Sequence, residues 1–130
     1  MNAIKVCFVG NAQTGKTNMV RQLLNQPMSS NNNYYVATLG VEVHPYHVNG
    51  KTYNIWDCAG NIKFGGLREG YYIGGQIFII FTGGDETNNP IEWGHKTQQQ
   101  YINEIRNVVS NAQIYAFHNP TLDQIKTILN

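Results

Sequence analysis

The sequence predicts an α/β fold with a mostly parallel sheet of five strands, and three observations carry that expectation. Short, largely apolar runs such as Ala3 to Val9 and Ile77 to Phe81 suit strands buried on both faces. After the first hairpin, such runs alternate with segments of helical period. A glycine-rich turn, Gly10-Asn11-Ala12-Gln13-Thr14-Gly15-Lys16-Thr17, joins the first run to the first helical segment.

The elements follow in order. Ala3 to Val9 is the first strand and ends at Gly10. Lys16 to Asn25 places Met19, Val20, Leu23 and Leu24 on one helical face, and Pro27 stops it before a Ser/Asn-rich loop to Asn33. Val41 to Val48 and Thr52 to Trp56 are strands joined around Asn49-Gly50, a strong hairpin signal. The first of that pair is the antiparallel member of the sheet. Ile77 to Phe81 is the next strand, closed by Gly83-Gly84. Beyond a polar loop with Pro90, Ile91 to Val109 reads as a long helix, with Trp93, Tyr101, Ile105 and Val108 among its apolar positions. Ala112 to Phe117 is the fifth strand, broken by Pro120. Thr121 is placed to cap a last helix carrying Leu122, Ile125, Ile128 and Leu129 on one side.

Composition narrows the function classes. At 130 residues the chain is expected to be one domain, residues 1–130. The net charge of +1 comes with no Lys/Arg cluster, so the electrostatic footprint of a nucleic-acid binder is missing. The apolar run from Gln76 to Phe81 is far too short to span a membrane, and the N-terminus has no signal-peptide pattern. Two cysteines, Cys7 and Cys58, do not make a disulfide framework. A soluble, intracellular protein is expected, with no nucleic acid or membrane among its partners.

The glycine-rich turn satisfies G-x-x-x-x-G-K-[ST] between a predicted strand and a predicted helix. That spacing lets a loop wrap its N–H groups around phosphate oxygens, with Gly10 and Gly15 supplying the permissive dihedrals. Asn11, Ala12, Gln13, Thr14, Gly15, Lys16, Thr17 and Asn18 are the expected nucleotide-binding segment. Lys16 is expected at the β/γ-phosphates and the Thr17 hydroxyl at a Mg²⁺ position. Trp56-Asp57-Cys58-Ala59-Gly60 supplies the partner: Asp57 can hold Mg²⁺ through water, and the Gly60 N–H can reach a γ-phosphate.

Two longer stretches are more specific. YVATLGVEVHP (residues 35–45) and KFGGLREGYY (residues 63–72) make the chain resemble the Ran family of small GTPases, densely from residue 3 to about residue 82 and more thinly to about residue 119. The resemblance implies a three-layer P-loop NTPase fold that binds GTP/GDP and Mg²⁺. It also implies a nuclear and cytoplasmic role in nucleocytoplasmic transport, with importin-type receptors or Ran regulators as partners. By it, Thr38 is the switch I threonine, a metal and γ-phosphate contact, and residues 57–73 form switch II. The expected catalytic set is Lys16, Thr38 and Asn61, and the expected metal set is Thr17, Thr38 and Asp57.

The chain departs from that family at five places, one of them the switch I loop, where Ser29 to Asn33 adds about three residues and the family's basic residues are missing. Asn61 stands where the family keeps a water-orienting glutamine, and its amide falls roughly 1.5 Å short. A misplacement of that size costs on the order of a hundredfold in rate. Ala12 adds a Cβ where the family keeps glycine. In the base-reading N-K-x-D motif, Asn119 fits the first position and Pro120 replaces the lysine. Asp123 falls one residue late, so it is either the guanine carboxylate or simply an acidic residue in the first turn of the last helix. Finally, the sequence lacks the last strand and helix of a full small GTPase. The fifth strand is then expected to be an open edge available for self-association, with the Leu122 to Leu129 helix shielding part of one sheet face.

Two functions are compatible with this pattern. One is a guanine-nucleotide switch with slow hydrolysis. The other is a non-hydrolysing Ran mimic that engages transport receptors without a working nucleotide cycle. His44 and His47 fall on opposite faces of a strand, which makes them a poor metal pair. Cys58, beside the phosphate motif, is not expected to be a nucleophile.

Overall fold

The computed structural model describes residues 3–11, 14–25, 34–36, 41–58, 68–83 and 96–130. Six strands form one sheet in the order β2-β3-β4-β1-β5-β6. β1 (Ile4–Gly10) is central and lies parallel to β4 (Lys51–Cys58) on one side and β5 (Ile77–Thr82) on the other. β6 (Gln113–His118) continues in parallel beyond β5. β3 (Val41–Val48) runs antiparallel to β4, as expected of the second strand in sequence. The five expected strands are all present. A sixth, the three-residue β2 (Tyr34–Val36), pairs antiparallel with β3 at the edge, between the expected loop to Asn33 and the expected strand at Val41.

Alternation along β1 builds the two core layers. Val6 and Phe8 face one side, where they pack with Ile55 and Ile79, with Met19, Val20 and Leu23 of α1 (Lys16–Leu24), and with Ile125 of α4 (Leu122–Ile128). Cys7 and Val9 face the other side. There they join Phe78 and Ile80, Tyr71 and Tyr72 of α2 (Arg68–Tyr72), and Tyr101 and Ile105 of α3 (Gln98–Val108). β1 is thus buried on both faces from Val6 onward, which explains the continuous apolar run Val6 to Val9 after Lys5.

The turns follow their residues. Asn49 and Gly50 both take positive φ, 51° and 75°, the requirement of a type I′ hairpin. Thr121 caps α4 as expected: its side chain accepts from Gln124 N–H while the Gln124 side chain accepts from Thr121 N–H. α4 then lies on the α1 side of the sheet, where Ile125 and Leu129 are fully buried. Its far end is held to the β3–β4 hairpin, with the Asn130 carbonyl accepting from Lys51 Nζ at 3.1 Å and Tyr53 OH at 3.3 Å. The expected shielding of that sheet face is therefore real.

The long helix differs from expectation at its start. Residues 91–95 lie outside the described residues, and Lys96 and Thr97 are not helical. Thr97 has extended backbone, φ −80° and ψ 163°, and forms a reciprocal capping box with Gln100. The helix therefore begins at Gln98. Apolar periodicity carried the sequence reading back through Trp93, past the polar Thr-x-x-Gln signal that sets the boundary.

Candidate functional site

The parallel strands β1, β4, β5 and β6 all end at one edge of the sheet, with residues 10, 58, 82 and 118 as their last positions. From β1 the chain moves first to β4 on one side and later to β5 on the other. In open α/β sheets the crevice at such a reversal is where ligands bind. The glycine-rich turn leaves β1 at this point and runs into α1.

Two glycines shape the turn. A Cβ on Gly10 would lie 2.4 Å from the Phe81 carbonyl oxygen of the neighbouring strand, so no other residue fits without a shift. Gly15 caps α1 with φ 96°, in the left-handed region that glycine favours. Gly15 has no side chain to cap the helix, and the first turn of α1 opens at the end of the loop, where a helix N-terminus favours an anion.

Lys16 is buried, and its ammonium donates to the carbonyls of Gly10 and Asn11, both at 2.9 Å. Thr14 is buried too and donates from Oγ1 to the Asn11 carbonyl at 2.8 Å. The loop is closed by its own side chains, with a cation bridging its two ends. Gln13 and Ala12 lie outside the described residues.

The second motif arrives on β4. Register places Asp57 beside Phe8 of β1 and Glu42 of β3. The Thr17 hydroxyl donates to Asp57 Oδ2, joining residues 40 positions apart in sequence. Asp57 is 7% exposed. Burial pushes its carboxyl above the usual carboxylate range, against the pull of the Lys16 ammonium and the Thr17 hydrogen bond. A carboxylate that is poorly compensated beside a threonine hydroxyl gains from a hard cation with oxygen ligands. These residues therefore fit Mg²⁺ together with phosphate. Thr38, Gly60 and Asn61 lie outside the described residues. Asn18 is exposed on the first turn of α1.

At the end of β6, Asn119 adopts φ 49° and donates its N–H to the Thr82 carbonyl at 2.8 Å. Its side-chain amide lies directly against Gly83, where a Cβ would be 2.3 Å from Oδ1. Gly83 is thus more than the strand stop read from the sequence: its missing side chain makes room for Asn119. Asp123 is exposed in the first turn of α4, the position the helix-dipole reading assigns it.

Other features separate from this edge. Burial pushes the Cys58 thiol well up, and a hydrogen bond with Cys7 adds to the effect, so thiolate chemistry is disfavoured. His44 is buried on β3, 3.7 Å from Glu42, while His47 on the same strand is exposed and 3.0 Å from Thr52 Oγ1. Among the described residues no cluster of three His, Cys, Asp or Glu could hold a metal, and no helix is long and apolar enough to cross a membrane.

His44 gives a pH prediction. Burial lowers its pKa below 6.5, the Glu42 carboxylate opposes this, and Arg21 of α1 adds to the lowering. The unfolded chain therefore takes up a proton near pH 6.5 that the fold resists. Stability present at neutral pH is lost as pH falls through 6.5 towards the folded value. Melting temperatures at pH 7.5 and 5.5 should show a drop that is smaller in His44→Gln. An equal drop in both proteins would remove His44 as the cause.

Comparison with known families agrees with this geometry. The chain matches the family model described as "Ras of Complex, Roc, domain of DAPkinase" over residues 5–121. The matched span runs from β1 through β6 to the cap of α4, and so takes in the phosphate loop, Asp57 and Asn119.

Proposed function

This chain belongs to the Roc family of Ras-like GTPase domains and is a guanine-nucleotide-binding switch; on that premise we propose that it works with Mg²⁺ and hydrolyses GTP slowly. The observation that carries the proposal is the joining of Thr17 to buried Asp57 beside Lys16 at the strand ends. Lys16 contacts the β/γ-phosphates, and N–H groups of the Gly10 to Thr17 loop surround the phosphate chain. Thr17 and Asp57 hold Mg²⁺, and Thr38 and Gly60 meet the γ-phosphate end. Asn61 takes the water-orienting position with a short amide. Asn119 is the base-site residue, with Asp123 as the carboxylate that selects guanine. The Ran-like stretches at residues 35–45 and 63–72 support the finer reading that transport receptors recognise the switch segments. The family match is to Ras-like GTPases and does not single out Ran.

The test is a binding titration with GTP and ATP, each with Mg²⁺ and with excess chelator. GTP should bind at micromolar concentration or below, more weakly without Mg²⁺, and ATP should bind far less well. Equal affinity for the two nucleotides would overturn the guanine assignment. Affinity indifferent to chelation would overturn the metal assignment.

A further inference from the structure

Asn11 belongs to the phosphate loop, yet its side chain spans to the start of α3. Its Nδ2 donates to the Lys96 carbonyl at 2.7 Å, and its Oδ1 accepts from the Lys96 N–H at 2.8 Å. The same oxygen accepts from the Tyr101 hydroxyl at 2.9 Å. This pairing fixes the orientation of the amide, because the opposite one would set donor against donor and acceptor against acceptor at Lys96. Asn11 is 2% exposed and Tyr101 1%, so these bonds are shielded from water.

The backbone of the same residue holds the loop. The Asn11 carbonyl accepts from Thr14 Oγ1 and Lys16 Nζ. Asn11 therefore grips the phosphate loop with its carbonyl and α3 with its side chain. The link extends further: Lys96 Nζ pairs with Glu104, and the Tyr72 hydroxyl of α2 lies 3.5 Å from that carboxylate.

We infer that Asn11 is a positioning residue for nucleotide retention, latching the phosphate loop to the start of α3. The residence time of a bound nucleotide is then set in part by a helix outside the nucleotide-binding motifs. This inference rests on the switch function proposed above. Release requires the loop to open, and opening strains or breaks the Asn11 bonds.

The experiment measures release of a fluorescent GDP analogue, with Mg²⁺, from the parent, Asn11→Ala, Tyr101→Phe and the double variant. A neutral hydrogen bond of this kind contributes about fivefold, so Tyr101→Phe should speed release about fivefold and Asn11→Ala, which loses all three side-chain bonds, on the order of a hundredfold. The double variant should match Asn11→Ala, because the Tyr101 contribution passes through Asn11. Ile105→Val, which loosens the same helix from its buried side, should lower the melting temperature and leave release at the parent rate. Release in Tyr101→Phe at the parent rate, or no faster than in Ile105→Val, would overturn the latch. Amide hydrogen exchange of residues 10–17 in the nucleotide-free proteins reads the latch independently of binding. Faster exchange in Tyr101→Phe supports it, and unchanged exchange counts against it. A parent that binds no guanine nucleotide instead overturns the switch function.

Discussion

Lys16→Ala is expected to weaken GTP binding by about a hundredfold, the upper end of what a hydrogen bond to a charged group contributes. Two losses combine at this position. The ammonium proposed to meet the phosphates disappears, and so does the tie from Lys16 back to the Gly10 and Asn11 carbonyls. Lys16 is buried, so solvent screens little of either effect. Titration calorimetry on parent and variant gives the ratio, and circular dichroism confirms that the variant still folds. A folded variant that binds as tightly as the parent would mean the phosphate site has been placed on the wrong residues.

Asn61→Gln is expected to speed single-turnover GTP hydrolysis by about a hundredfold, because it restores the reach of the amide. Slow intrinsic turnover in this class, roughly 10⁻⁴ s⁻¹, leaves ample room for the gain. Ala12→Gly, which removes a Cβ where the resembling family keeps glycine, should add to it. If both the single and the double variant keep the parent rate, the account of impaired hydrolysis is wrong.

The legible parts of this fold were those written in local pattern. The buried strands showed as short, largely apolar runs, the hairpin as Asn49-Gly50, and the α4 cap as Thr121. The phosphate loop was readable because backbone wrapping requires glycine at fixed spacing, and the structure supplies the steric reason at Gly10. Long-range polar contacts were not legible. Asn11 meets Lys96 and Tyr101 across 85 and 90 positions, and Gly83 makes room for Asn119 across 36. No periodicity or spacing encodes such pairs, because only the packed sheet brings the strand ends together. β2 was missed for a related reason: three residues are too few to show an alternating pattern, and pairing with β3 defines the strand. The start of α3 was written in the sequence as Thr97 and Gln100, but a polar signal was outweighed by the apolar residues before it.

The sheet edge at β6 bears on assembly. Its outer side has no strand neighbour among the described residues, and Tyr115 on it is 37% exposed. Self-association through that edge is an expectation from the sequence, based on the tendency of open strands to pair. A sedimentation series over concentration reports it directly.

The most direct test of the central claim is to purify the protein without added nucleotide, denature it, and identify what is released by chromatography and mass. A stoichiometric guanine nucleotide is expected, with a substantial triphosphate fraction if hydrolysis is as slow as proposed. Release of adenine nucleotide, or of none from a protein that also ignores GTP added with Mg²⁺, would contradict it.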